Sequence, residues 1–137
     1  MRRFFTITVT AVIALFLFNP MASGGSPHFV DVSAERSGDS LIVSGKEAGL
    51  GNETQVHIVV TADAACINPG SKHPKAANKE SFSAEGDFPV QNGKAEFELI
   101  LTADLQPDCS PPMTVVWTNV TVTDEEHGVT KSIPGTF

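Results

Sequence analysis

The chain has 137 residues, of which nine are basic and 16 acidic, and a formal net charge of −7. So few scattered cations argue against a nucleic-acid partner, which needs a basic stripe to contact phosphates. The length suits one domain with a real core rather than two.

Arg2 and Arg3 precede an apolar run over residues 4–18, and Pro20, Ala22, Ser23, Gly24 and Gly25 follow it. A basic start, an apolar stretch and a small-residue zone predict a secretory signal peptide over residues 1–24, cleaved near Gly24. The run falls short of the about 20 apolar residues that span a bilayer, so an uncleaved anchor is the lesser alternative. No cysteine stands in that zone to carry a lipid. The expectation is a secreted, extracellular protein with no membrane span after processing and one domain over residues 25–137. Loss of Arg2 and Arg3 takes the charge to −9. An exported chain with two cysteines is expected to oxidise them, which predicts a Cys66–Cys109 disulfide.

Beyond the signal, short alternating runs with turn residues between them predict strands, not helices. Over 28–34, Val30, Val32 and Ala34 share one parity. Ser37-Gly38-Asp39 then turns the chain into 40–44, where Leu41 and Val43 alternate, so the first two strands form a hairpin. Gly45, Gly49, Gly51 and Asn52 predict a loop. The third strand, over 54–62, sets Val56, Ile58 and Val60 on an inner face and His57 on the outer one. From 63 to about 80 the apolar pattern lapses, and an ordered loop of that length is unusual and often functional. A fourth strand from 81 turns Phe82, Ala84, Phe88 and Val90 inward, with Gly86 inviting a bulge and Pro89 facing outward. Gln91-Asn92-Gly93-Lys94 is a type I′ hairpin signal. Ala95, Phe97, Leu99 and Leu101 continue the inner row on a fifth strand. A sixth strand over 113–123 carries Trp117 and changes parity before Val120, which predicts a bulge near Thr118-Asn119. Asp124 to Gly128 turns the chain, and a short edge strand over 129–133 ends at Pro134.

Seven such strands predict an all-β fold, an antiparallel two-sheet sandwich, immunoglobulin-like or fibronectin-like, with one disulfide. The third and fifth strands would run in the same direction and bring both cysteines to one end. A bridge there ties the long loop to the connection between strands five and six, unlike the inter-sheet bridge of antibody domains.

Cys66-Ile67-Asn68-Pro69-Gly70, then Pro74, Asn78 and Lys79, Phe88-Pro89-Val90, Asn92-Gly93, Cys109 with Pro111-Pro112, and Trp117-Thr118 form a pattern. With VSGKEAGLGN over 43–52, this pattern resembles a group of small exported bacterial proteins, common in actinobacteria, over nearly all of the mature chain. The resemblance implies a secreted β-sandwich with one disulfide and carries no activity. SKHPKAAN departs from the more Gly-, Asn- and Pro-rich stretch usual after Gly70.

No G-x-S-x-G elbow, H-E-x-x-H pair or Cys/His ligand cluster is present, so the reading is non-enzymatic and without a cofactor. The candidate contact region is the Cys66 loop, with Asn68, Gly70, Lys72, His73, Pro74, Lys75, Asn78 and Lys79, by the rule that rigid frames carry function on loops. Its expected partner is an extracellular protein or an envelope component. Metal candidates are weak. Asp63, Asp104 and Asp108 come together at the cysteine end as possible calcium ligands. A copper or zinc site could draw on His28, His73 or His127, but no pair has ligand spacing, so all the histidines, and Asp124-Glu125-Glu126, read as solvated. A small secreted hydrolase or toxin is the remaining alternative. Trp117 reads as core, packed near the bridge.

Overall fold

The computed structural model describes residues 26–68 and 79–137. The expected signal peptide lies outside the described residues. So do Gly70, Lys72, His73, Pro74, Lys75 and Asn78 of the expected contact loop.

Seven strands occur in chain order: β1 (His28–Ser37), β2 (Ser40–Ala48), β3 (Gln55–Ile67), β4 (Lys79–Pro89), β5 (Ala95–Thr102), β6 (Thr114–Asp124) and β7 (Val129–Ile133). They form two antiparallel sheets, β1-β2-β5 and β4-β3-β6-β7. The alternating rows read from the sequence form the core between them. Leu41 and Val43, Val56, Ile58 and Val60, Phe97 and Leu101, and Val120 and Val122 are all buried, and Phe82, Ala84, Phe88, Val90 and Leu99 pack against them. Trp117 is fully buried, with the Phe82 ring edge-on at 5.8 Å.

The β4–β5 hairpin follows its Asn-Gly signal. Asn92 and Gly93 have φ of 54° and 77°, and Gln91 and Lys94 exchange N–H···O bonds of 2.8 and 3.1 Å. Both central residues have the positive φ that a type I′ turn requires. The expected bulge in the sixth strand is present too. Between the pairs Thr61↔Thr121 and Asp63↔Thr118, two β6 residues oppose one β3 residue, and Asn119 takes φ 54°. Beyond that bulge the end of the chain completes the ladder, since Trp117 and Phe137 exchange N–H···O bonds of 2.8 and 2.9 Å. Pro89 lies on edge strand β4, where a missing N–H costs least.

Four expectations are corrected. β4 pairs with β3 in unbroken register through Gly86, so no bulge forms there. Its missing Cβ instead leaves room for the Phe88 ring. The bulge on the other sheet lies in β1, at Asp31 (φ 54°) and Val32 opposite Gly45. It shifts parity, so Phe29 rather than Val30 packs on the core, edge-on to Phe97 at 6.0 Å. β2 does not stop at Ser44 but continues through Gly45 to Ala48, and β3 continues past Ala62 to Ile67. Cys66 is therefore a buried strand residue, and the long connection is shortened to residues 68–78.

Gly45 makes the β1 bulge possible. A Cβ there would stand 2.9 Å from Val32 Cα and 3.3 Å from the Asp31 carbonyl oxygen, so backbone would have to move. Gly45→Ala is expected to cost about 2 kcal/mol of unfolding free energy, the usual scale of overpacking. Urea denaturation would check this, and a loss below about 0.5 kcal/mol, the range of neutral surface changes, would show that the bulge yields freely.

Candidate functional site

Strand direction gives the sandwich two unlike ends. The end of β3, the start of β4 and the connection 103–113 lie at one end, with the β1–β2 turn, which is tied on by the 3.0 Å bond from Ala103 N–H to the Asp39 carbonyl. At the other end are the connection 49–54, the hairpin turn 90–94 and the β6–β7 turn 125–128.

At the first end Cys66 is bonded to Cys109, as expected, with Cα atoms 5.6 Å apart. Cys66 sits fully buried on the inner row of β3, opposite Val115 of β6, whereas Cys109 is half-exposed in the β5–β6 connection. The bridge thus fastens that connection to the sheet, one residue before β3 ends. Of the expected contact residues, Asn68 is half-buried just past β3, and Lys79 is exposed as the first residue of β4.

Of the three aspartates, Asp63 is a strand residue of β3, whereas Asp104 and Asp108 lie in the β5–β6 connection. Because β3 continues, Asp63 lies within the sheet and not at its rim. Its carboxylate accepts hydrogen bonds from Ser81 Oγ (2.5 Å) and Asn119 Nδ2 (2.8 Å), with Lys79 Nζ at 4.0 Å. The Ser81 bond first, and the Asn119 bond next, hold its pKa below the usual carboxylate range against some opposition from burial. Asp104 and Asp108 are exposed.

The opposite end holds a centre that the strand boundaries read from sequence concealed. The inner row of β2 continues from Leu41 and Val43 to Glu47, and that of β6 from Val120 and Val122 to Asp124. Both acids are 0 % exposed. They close the core from opposite sheets, where alternation demands an inward side chain. Asp124, expected to be solvated, is a correction, and so is His127, whose side chain is only 21 % exposed.

His127 joins the acids to the surface. Its Nδ1 lies 2.6 Å from Asp124 Oδ2, and its Nε2 lies 2.5 Å from Glu53 Oε2. The Asp124 carboxylate also accepts the His127 backbone N–H at 3.2 Å, which sets the turn. Glu53 is positioned by backbone bonds within and beside its loop, from Glu53 N–H to Leu50 (3.3 Å), Leu50 N–H to Gly93 (2.9 Å) and Val90 N–H to Thr54 (3.0 Å). Burial pulls the His127 pKa down, but the hydrogen bonds to Asp124 and Glu53 outweigh it and leave the group raised.

As a carboxylate, Glu47 meets no hydrogen-bond donor at either oxygen among the described residues. Burial first, then the hydrogen bond that a protonated Glu47 can share with the facing Asp124, and then the like charge of Asp124, push the Glu47 pKa up to about 8, because all three disfavour the anion. Glu47, Asp124 and His127 each offer a ligand atom within 4.8 Å of the other two, and Glu53, Glu126 and His127 form a second such group at the rim. Asp63, Asp104 and Asp108 belong to neither group. Surface grooves flank the rim: one is lined by Gly49, Glu53, Val90, Asn92 and Lys94 among others, and another by Glu53, Gln55, His57, Asp87 and Glu126.

His57 lies on the outer face of β3 as expected, with Nδ1 2.7 Å from Asp87 Oδ1 and Nε2 2.8 Å from Glu85 Oε1. Hydrogen bonding to Asp87, then to Glu85, raises its pKa. His28 is exposed at the start of β1, its Nδ1 2.8 Å from the Ser26 carbonyl oxygen.

The fold and its two ends define a disulfide-bonded antiparallel β-sandwich. Compared with family models, curated proteins and solved structures, the chain matches none of them. Among the described residues no helix is long and apolar enough to cross a membrane.

Proposed function

We propose that this is an exported, non-enzymatic β-sandwich of fibronectin-like type that serves as an extracellular or cell-envelope binding module through the loop after Cys66. The observation that supports this most is the placement of the disulfide. It joins the last turn-ward residues of β3 to the β5–β6 connection and so anchors surface chain at one end. Loops held on a rigid frame are where sandwiches bind partners. The strand order supports the fibronectin-like comparison, because β4 sits beside β3 and not beside β5. Antibody constant domains place their fourth strand in the other sheet. The basic start and apolar run at the N-terminus support export, and an oxidised bridge is compatible with it. The partner is an extracellular protein or an envelope component.

The test is capture. The oxidised protein, immobilised and incubated with the envelope and medium fractions of its own cells, is expected to retain a partner that withstands washing and can be identified by mass spectrometry. Replacing Lys72, His73 and Lys75 together with alanine is expected to abolish retention and leave the melting temperature unchanged. Undiminished retention by that variant would place the contact elsewhere.

A further inference from the structure

The end opposite the disulfide contains two buried carboxyl groups where the alternation calls for apolar side chains. An ion pair or acid in such a place is commonly replaceable by apolar residues at no loss of stability, so its presence requires a physical reason. A need for neutrality alone does not provide one. A buried acid that merely holds a proton still requires hydrogen-bond partners; no donor faces either Glu47 oxygen among the described residues, and a proton shared with the facing Asp124 would satisfy only one of the two. One of those oxygens lies within 4.8 Å of a ligand atom of Asp124 and of His127.

We propose that Glu47, Asp124 and His127 form a binding site for a divalent transition cation of the zinc class, reached from solvent past His127. Two carboxylate oxygens and one imidazole nitrogen are a three-ligand set of the kind zinc takes, with the fourth position left for water or a further group. Imidazole favours a transition ion, whereas calcium takes six to eight oxygens. The donor atoms already lie within 4.8 Å of one another. Zinc–ligand bonds of about 2.0–2.2 Å need them roughly 3.4 Å apart, a closure within reach of the rotatable bonds of Glu47. The cation would displace the Glu47 proton and the proton shared between His127 Nδ1 and Asp124, both of which pass to solvent. Two carboxylates, a neutral imidazole and a dication then sum to zero charge, which removes the cost of burying either acid alone.

The surroundings of His127 fit this role. A metal-bound imidazole almost always donates its other N–H to a carboxylate or carbonyl, which fixes the ring. Here Nε2 is already held at 2.5 Å by Glu53. Glu126, exposed beside it, completes an acidic approach from solvent. The three ligands come from both sheets and one turn, so an ion there would clamp the sheets at the end that the disulfide leaves untied. This proposal stands independently of any contact through the Cys66 loop.

The processed, chelator-stripped protein is titrated with zinc chloride by calorimetry, and with cobalt chloride by visible absorption. One equivalent is expected to bind, with a cobalt spectrum of tetrahedral intensity and a raised melting temperature. E47Q and D124N, which preserve side-chain shape, are each expected to weaken zinc at least tenfold, while E125Q on the exposed turn leaves it unchanged. Absence of zinc and cobalt binding at 100-fold excess over protein would overturn the proposal. So would binding that survives in both E47Q and D124N but is lost on His28→Ala or His57→Gln. If E47Q or D124N fails to fold, the cobalt spectrum of the native protein decides: intense four-coordinate bands support the site, and weak octahedral bands overturn it.

Discussion

Replacing Cys66 and Cys109 together with alanine is expected to lower the free energy of unfolding by about 4 kcal/mol, on the chain-entropy scale for a loop of this length. The cysteines are 43 positions apart, so the bridge removes a large closed loop from the freedom of the unfolded chain. Cys66 adds a second contribution. It is fully buried between Ala64 and the end of β3, facing Val115, and truncation to alanine removes packed sulfur on the inner row. Cys109 is half-exposed and contributes little by packing. The loss should therefore be unequal under reducing conditions, where the bridge is absent: Cys66→Ala is expected to cost more than Cys109→Ala. Urea denaturation of the double variant and of both single variants, with and without reductant, checks both statements. A double variant within about 1 kcal/mol of native, well short of the chain-entropy scale, would mean that the unfolded chain is already confined in this region.

Most of the frame was legible because it rests on alternation. Val56, Ile58 and Val60, or Ala95, Phe97, Leu99 and Leu101, allow only one register once a face is buried. The Asn92-Gly93 turn and the parity change after Trp117 carry their own local signals. Two other features were hidden for one physical reason. In the β1 bulge Val32 and the Asp31 carbonyl come too close to Gly45 to leave room for a Cβ, so Gly45 marks the bulge and not the end of β2. Read as a turn residue, it cut off the row Leu41, Val43, Gly45, Glu47 before its last member. The row Val120, Val122, Asp124 was cut in the same way, since a run of three acids after Thr123 suggests a solvated turn. Continuing both alternations by one step would have placed two carboxyl groups inside the sandwich. Their meeting with His127 depends on how the two sheets pack, which no local pattern records. Asp63 stands at a strand end only if β3 stops at Ala62, whereas β3 continues to Ile67.

In the presence of chelator, stability is expected to fall as pH rises from about 5 to 8, with a total loss on the order of 4 kcal/mol carried mainly by Glu47. The sign follows from where its proton sits. The folded group keeps its proton up to about pH 8, while in the unfolded chain it ionises near its ordinary 4.5. Below 4.5 both states are protonated and the carboxyl is neutral where it is buried. Between the two values the unfolded state has released a proton that the folded state retains, so each rise of one pH unit costs the folded state up to about 1.4 kcal/mol. Above about pH 8 the loss levels off. The groups that face Glu47 are Asp124 from β6, His127 from the β6–β7 turn and Glu53 from the β2–β3 connection. His127 and the separate His57 act in the same direction, because a raised histidine stabilises fully below its unfolded value of 6.5 and loses that contribution as pH passes the folded one. Asp63 acts oppositely and in another range. Its lowered carboxyl stabilises above 3.8 and loses this as pH falls through the folded value, which places the stability maximum at mildly acidic pH. E47Q separates the contributions. The amide cannot ionise and fills nearly the same volume, so the variant is expected to be more stable than native at pH 8. Only the shallower histidine slope should remain between pH 5 and 8. Denaturant titrations of both proteins across that range decide the matter, and parallel slopes would show that Glu47 ionises near its ordinary value in the folded chain.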